Sequence, residues 1–301
     1  MTGSAIGDEP APLLLTTRQM AEFVARGFLE FPALIDDSIN TQAEAELRTI
    51  LDTWGSEDRP NAPDSGQPWT SLYPQPSALG AVLRHPTVAG AIQSLVGPDA
   101  VFDHDFVHLR PSGDLNGQRL HCDAIIDPNL SFDIQVFYFP HQVADDGGGT
   151  GFVPATHLRL IHETDVGRYR HLKGERQWAG PAGSVLIFHH GLWHRGMPNP
   201  GSRDRLMYKL RLNPSSPQVL QWNTDDLAEV SSANTDHIFA RFDPTKIAMS
   251  LRHREPWMGE ADFRLEVVAR TRLWRHLTNN PKFDVDWYLT RLERRSELGH
   301  R

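Results

Sequence analysis

The sequence predicts a mainly β core flanked by helices, on three observations. Five short runs of β-branched and aromatic residues follow one another after about residue 100: Val101–Leu109, Ile134–Phe139, Gly151–Val153, Ser184–Phe188 and Leu206–Leu212. Gly, Pro, Asp and Asn separate them, which is the pattern of short strands in an all-β barrel or sandwich. The stretches before residue 100, and the region from about 236 to 300, instead carry apolar residues at helical spacing.

Taken in order, residues 1–12 are rich in Gly, Pro and acid and read as a disordered leader. Thr16 or Thr17 can cap a helix in which Met20, Phe23 and Val24 share a face, ending before Gly27. Phe28–Leu34 is apolar and contains Pro32, so it reads as a short strand or a docking turn. From Asp36 to Trp54 the residues Ala43, Leu47, Ile50, Leu51 and Trp54 form one helical stripe. Residues 56–69 are loop by composition, and a further helix is expected over about Pro86 to Val96. Beyond the strands, Trp274, Leu277, Trp287, Leu289 and Leu292 mark a helical tail. The chain therefore divides into a leader (1–12), a β domain with N-terminal helices (13–235), and a helical C-terminal extension packed on the same domain (236–301).

Bulk composition narrows the function. With 301 residues, 39% hydrophobic and 23% charged, the chain is ordinary for a globular protein and long enough for a sizeable core. A formal charge of −8 without a basic block argues against a nucleic-acid footprint. No apolar run approaches the roughly 20 residues that cross a bilayer. The N-terminus does not read as a signal peptide, and the single cysteine, Cys122, has no partner within the chain for a disulfide. These features predict a cytoplasmic location.

The chemistry-bearing pattern is His121-Cys122-Asp123. On a strand, positions i and i+2 face the same way, so His121 and Asp123 can reach one metal ion while Cys122 points away. A third ligand must come from elsewhere. Two imidazoles and one carboxylate on one face of an ion leave three positions open, which suits Fe(II) that must bind a co-substrate and O2. On its own a His-x-Asp pair also fits a polar strand end. The context is Gly183-Ser-Val-Leu-Ile-Phe-His-His-Gly-Leu-Trp-His194-Arg-Gly-Met-Pro-Asn199 followed by Arg203-Asp-Arg205. It reads as a turn, a buried strand, a loop bearing a histidine, and a basic residue opening another strand. His194 on that loop can close the site, with His189 and His190 as neighbouring options. A guanidinium deep in such a site can grip a carboxylate end-on, and it stays charged at working pH.

These residues resemble the phytanoyl-CoA dioxygenase family of Fe(II)/2-oxoglutarate oxygenases over roughly residues 15–212. The likeness includes Leu15-Thr-Thr-Arg-Gln-Met-Ala-Glu-Phe-Val-Ala-Arg-Gly-Phe, His121-x-Asp123, Gly147-Gly-Gly-Thr-Gly-Phe-Val-Pro-Ala-Thr-His157, and the closing His194, Asn199 and Arg205. It implies a double-stranded β-helix (jelly-roll, cupin-like) core and iron bound by His121, Asp123 and His194. It also implies 2-oxoglutarate chelating the iron, with its far carboxylate on Arg205 or, at the alternative spacing, Arg203. The family register favours His194 over His189 and His190. Related halogenases replace the carboxylate ligand with a small residue; Asp123 is retained, which points to hydroxylation or another oxidation.

Other residues complete the picture. His104, Phe106 and His108 alternate on one presumed strand, as do Gln135, Phe137 and Phe139. By the resemblance, His108 and Gln135 are expected to contact co-substrate or substrate, and Phe137 to pack beside the iron. Core packing is the rival for the aromatics. Lys209 and Arg211 share strand parity with Arg205. Pointing inward they would favour an anionic substrate, but long cations usually stay in water, and solvated charge beyond the barrel mouth is the expectation. His157 reads as structural, and His253-x-Glu255 lacks supporting motifs. The Gly147-Gly-Gly-Thr-Gly run lacks the Gly-Lys-Ser/Thr ending of a phosphate loop and reads as a tight turn. The expected protein is thus a dioxygenase acting on a small molecule, with a secondary-metabolite tailoring step as the analogy, and a monomer or homodimer. The alternatives are a zinc-type hydrolase and a non-catalytic binding protein on the same frame.

Overall fold

The computed structural model describes residues 10–54, 64–73, 76–123, 131–159, 161, 163–230, 246–286 and 289–290. The expected leader falls mostly outside this set; its last residues, 10–12, are exposed coil. Most of the expected loop at 56–69 lies outside it as well, as do Trp287 and Leu292 of the tail.

Helix α1 (Thr17–Arg26) starts where Thr16 accepts the backbone N–H of Gln19 and the Gln19 side chain returns the bond, a capping box. It stops at Gly27, whose φ of 81° is a left-handed cap open to glycine. Strand β1 (Phe28–Phe31) follows directly, then α2 (Asp37–Trp54), α3 (Ala78–Arg84) and α4 (Pro86–Val96). The sequence reading misses α3. Its two turns are too short for a periodic signal, and it is held by Ser77, which caps the Gly80 N–H, and by Glu46, which accepts from Ala78 and Leu79.

The strands are β2 (Val101–Arg110), β3 (Ile134–Phe139), β4 (Thr150–Phe152), β5 (Arg176–Gln177), β6 (Ser184–His189), β7 (His194–Gly196) and β8 (Arg205–Asn213), with the short helix α5 (Glu163–Val166) between β4 and β5. They form two antiparallel sheets, one of five strands in the order β1-β6-β3-β8-β2 and one of three in the order β5-β4-β7. Alternate residues of the large sheet go to opposite faces. Val136, Tyr138, Val185, Ile187, Tyr208 and Leu210 pack outward into the main core with α1, α2 and α4. Phe137, Phe139, Leu186, Phe188 and Met207 pack inward with Phe28, Phe152 and Trp178. Both faces being covered explains why β3 and β6 read as continuous apolar runs. The two sheets close over one interior, the jelly-roll expected from the sequence. Strands β5 and β7 escape the reading, being two and three residues long.

After β8 come α6 (Leu227–Val230), α7 (Ile247–Leu251) and α8 (Glu260–Leu277). Ile247, Leu251, Val267, Leu273 and Trp274 join the same core as Met20, Phe23 and Val24 of α1. Arg270 is fully buried, and its guanidinium donates to the carbonyls of Leu251 (3.1 Å) and His253 (2.6 Å), tying α8 to the end of α7. Among the described residues no helix is long and apolar enough to cross a membrane.

Candidate metal centre

One backbone pairing assembles the site. His121 N–H donates to His194 C=O (3.0 Å) and His194 N–H donates to His121 C=O (2.8 Å), an isolated antiparallel bridge. It sets the two imidazoles side by side, ring centroids 4.6 Å apart. His121 is therefore held by a single bridge rather than within a regular strand, and His194 opens β7 rather than sitting in a loop. Both are corrections to the sequence reading, and both arise because the pairing is non-local. Asp123 still turns to the same point. Its Oδ1 is 3.4 Å from His121 Nε2 and its Oδ2 is 3.5 Å from His194 Nε2.

The tautomers follow from the hydrogen bonds. Each Nδ1 lies 2.8 Å from the carbonyl two residues earlier, Arg119 for His121 and Leu192 for His194. A carbonyl only accepts, so each Nδ1 carries a proton, and Nε2 is the ring atom that faces Asp123 and is left for a metal. Such a bond from the far nitrogen is how metal-ligating histidines are oriented. One ligand atom from each of the three residues lies within 4.8 Å of the others. Three electron-pair donors converging on one point suit a cation, and the residues fit a divalent ion with three protein ligands.

The electrostatics agree. Burial alone would raise the Asp123 pKa, but His194, His121 and Lys209 together hold it well below the usual carboxylate range. Burial pushes His194 down to about 4 against the pull of Asp123. His121 moves the other way: burial opposes its charge, and hydrogen bonds to Asp123 and to the Arg119 carbonyl outweigh it. The two imidazoles are thus shifted in opposite directions by the same carboxylate and the same burial.

Around the triad is a cavity of about 220 Å³, walled by His108, Phe137, Thr150, Arg205, Met207 and Lys209 among others. Arg205 is 3% exposed. Its Nε donates to the Gly148 carbonyl at 2.8 Å, and Nη1 lies 3.4 Å from the His108 carbonyl. No carboxylate among the described residues pairs with it. Burial, with repulsion from Arg110, lowers it to about 9, so it remains charged at neutral pH. A buried cation with no anion is costly, and this one faces a cavity that can admit a carboxylate. Arg203, the alternative anchor, lies on the surface and pairs with Glu44 at 3.0 Å.

The glycine run is the expected tight turn. Gly148 has φ 70°, and a Cβ there would come within 2.7 Å of Asn199 Cβ. Asn199 in turn donates to the carbonyls of Arg110 and Arg203, fixing the approach to β8.

His108 faces the cavity, and burial, Lys209 and Arg205 push its pKa down to about 3, leaving it neutral. Phe137 lies in the wall with its ring 6.0 Å from His194 and 4.9 Å from Phe188. Gln135 is fully buried, and its Nε2 donates to Asp123 Oδ2 (2.6 Å) and to His190 Nδ1 (2.9 Å), so it braces the carboxylate. His190 is thereby occupied as Gln135's partner, and His189 packs against His157 with centroids 4.9 Å apart; neither belongs to the triad cluster. His157 Nε2 bonds the Val24 carbonyl, a structural role. His253 pairs with Glu255 at 3.0 Å, away from the triad. Cys122 packs with Leu120, Val153 and Trp193, pointing away as expected.

Lys209 departs from the sequence reading. It is not solvated beyond the mouth but 9% exposed, and its Nζ donates to Asp123 Oδ2 at 2.7 Å. A carboxylate partner inside the barrel outweighs the usual preference of lysine for water. The parity with Arg205 carried the signal for its direction, but not for its partner. Arg211, of the same parity, is held by Asp133 (2.7 Å) and Asp103 (3.2 Å).

The sequence profile described as phytanoyl-CoA dioxygenase (PhyH) matches residues 23–207. No curated protein matches the chain. Among solved structures, the non-heme alpha-ketoglutarate-dependent carbocyclase SnoK from nogalamycin biosynthesis is similar at 18% identity and TM-score 0.53, covering 73% of this chain and 94% of its own. HygX from Streptomyces hygroscopicus, with nickel and 2-oxoglutarate bound, is similar at 14% and 0.50, covering 71% and 90%. EctD from S. alaskensis, in its apoform, is similar at 15% and 0.51, covering 70% and 80%. At these identities the likeness is one of fold.

Proposed function

The chain belongs to the phytanoyl-CoA dioxygenase (PhyH) family, and on that premise we propose that it is an Fe(II)/2-oxoglutarate-dependent oxygenase that oxidises a small molecule. The observation that carries the reading is Arg205: a buried guanidinium with no carboxylate partner among the described residues, in the wall of the cavity that His121 and His194 of the cluster also line. A zinc-type hydrolase needs only water as co-reactant, so it gives no reason of its own for a carboxylate-binding cation beside the metal.

His121 and His194 would hold the metal through Nε2 and Asp123 through a carboxylate oxygen, leaving one face of the ion open. Arg205 would take the distal carboxylate of 2-oxoglutarate through charge-assisted hydrogen bonds. When bound, the ferrous ion and 2-oxoglutarate supply the O2-dependent oxidation, with the co-substrate leaving as succinate and carbon dioxide. The protein's part is orientation and exclusion of water: Phe137 and Met207 present apolar wall, and neutral His108 adds no charge. SnoK is an enzyme of nogalamycin biosynthesis, and a tailoring step on a natural product is the corresponding role here.

The test is direct. Purified protein given Fe(II), ascorbate and O2 should convert 2-oxoglutarate to succinate, slowly when no substrate is present. Absence of turnover, together with absence of 2-oxoglutarate binding to the anaerobic Fe(II) protein, would overturn the reading.

A further inference from the structure

The contact between Lys209 and Asp123 has a cost that neither group explains alone. Nζ sits 2.7 Å from Oδ2, on the wall of the metal cavity, and Lys209 is 9% exposed. An ion held by His121, His194 and Asp123 would lie one carboxylate away from this ammonium. Two like charges that close, one of them on a side chain only 9% exposed, repel. Asp123 can neutralise Lys209 or the metal, but it cannot fully serve both.

The orienting value of the Lys209 bond is the smaller effect. Gln135 Nε2 already grips the same oxygen at 2.6 Å and is itself fixed by His190. Removing Lys209 leaves that brace in place, whereas it removes a whole charge beside a divalent ion.

We propose that Lys209 couples metal binding to the binding of an anion, making the centre bind its metal weakly until a carboxylate joins it in the cavity. The carboxylate would be that of 2-oxoglutarate or of the substrate. In either case it supplies the negative charge that Asp123 cannot, and Lys209 turns from a competitor of the metal into a partner of the bound anion. The coupling must be reciprocal, since each ligand changes the other's affinity by the same factor. This inference rests on the oxygenase reading above.

The experiment uses the full chain, anaerobically, with Ni(II) as the metal probe. Calorimetry gives its affinity alone, with saturating 2-oxoglutarate, and with saturating acetate, which has the carboxylate without the chelating keto acid. Wild type should bind Ni(II) more tightly with 2-oxoglutarate, by a factor in the 5–150-fold range usual for coupled sites. A gain with acetate as well would show that any carboxylate serves; a gain with 2-oxoglutarate alone would assign the coupling to the co-substrate. K209Q keeps a hydrogen-bond donor but removes the charge. It should bind Ni(II) alone more tightly than wild type and lose at least about fivefold of the coupling, while K209R should behave as wild type.

K209Q binding Ni(II) more weakly in every arm, with its coupling intact, would overturn the proposal and leave Lys209 a positioning residue. Coupling below fivefold in wild type would overturn it without any variant. A wild-type chain that binds neither Ni(II) nor 2-oxoglutarate would overturn the oxygenase reading, and this inference with it.

Discussion

His121 and His194 exchange backbone hydrogen bonds in both directions, at 3.0 and 2.8 Å, and this one pairing sets both imidazoles of the metal centre. Each ring is then locked from behind by the carbonyl two residues earlier. Because the pairing is made by the backbone, it should survive loss of either side chain. His194→Ala is therefore expected to keep the fold and lose the metal. Loss of an outer partner typically costs 10–100-fold in affinity; removal of a ligand should cost more than about 100-fold on the same scale. Ni(II) titration alongside near-ultraviolet circular dichroism checks both halves. An unchanged affinity would move the third ligand away from His194.

Arg205 and Arg203 separate cleanly by burial. Arg205 is sealed in the cavity wall while Arg203 reaches out to Glu44. Truncating one partner of a buried charge pair costs about 2–5 kcal/mol. Arg205→Ala should thus raise the 2-oxoglutarate requirement at least roughly 30-fold and leave metal content near normal. Arg203→Ala should change neither. Steady-state kinetics against 2-oxoglutarate, with metal analysis of the same samples, decides between the two arginines.

Helix α4 and strand β3 are readable from sequence to the residue because each shows its own local signal: Pro86 in a first turn for one, six buried residues between turns for the other. The order of motifs likewise points to His121, Asp123, His194 and Arg205 as a candidate set, and the fold brings the first three together with Arg205 in the wall beside them. What sequence leaves hidden is non-local. Strand β7 exists because residues 150–152 lie alongside it, and His121 adds the further bridge at its first residue. Lys209 is the sharper case. Its parity with Arg205 can be read along β8, yet its partner is Asp123, whose position depends on that same bridge. The general preference of lysine for water points Lys209 outward, and the Asp123 carboxylate inside the barrel overrides it.

The C-terminal helices share the main core with α1, so their loss should be felt as global instability. Trp274 is fully buried, with Trp222 at 5.7 Å and Phe283 at 6.3 Å between ring centroids. Replacing a buried Trp by Ala typically costs about 3–5 kcal/mol. Trp274→Ala should lower the unfolding free energy by that amount in urea. Leu265 on the same helix is 66% exposed, and Leu265→Ala should stay within about 0.5 kcal/mol of wild type. Equal effects from the two would mean that α8 does not pack as described.

Acid should weaken the fold through its buried histidines, and His189 isolates the effect. Burial alone pushes its pKa down to about 3; its Nδ1 accepts the Gly191 N–H at 3.0 Å. In the unfolded chain the ordinary value is near 6.5. Between those two values the unfolded state holds a proton that the native state refuses. Stability contributed by neutral His189 is therefore complete above about pH 6.5 and is lost as pH falls toward 3, by up to about 1.4 kcal/mol per unit. His189→Asn supplies another acceptor without a titrating ring. The variant should be less stable than wild type at pH 7.5. By pH 5 the gap should have closed, or reversed, by about 2 kcal/mol, because only in wild type does the unfolded chain gain a proton at this site. Urea unfolding at the two pH values measures the difference, and a gap that does not change with pH would show that His189 takes up its proton in the folded state.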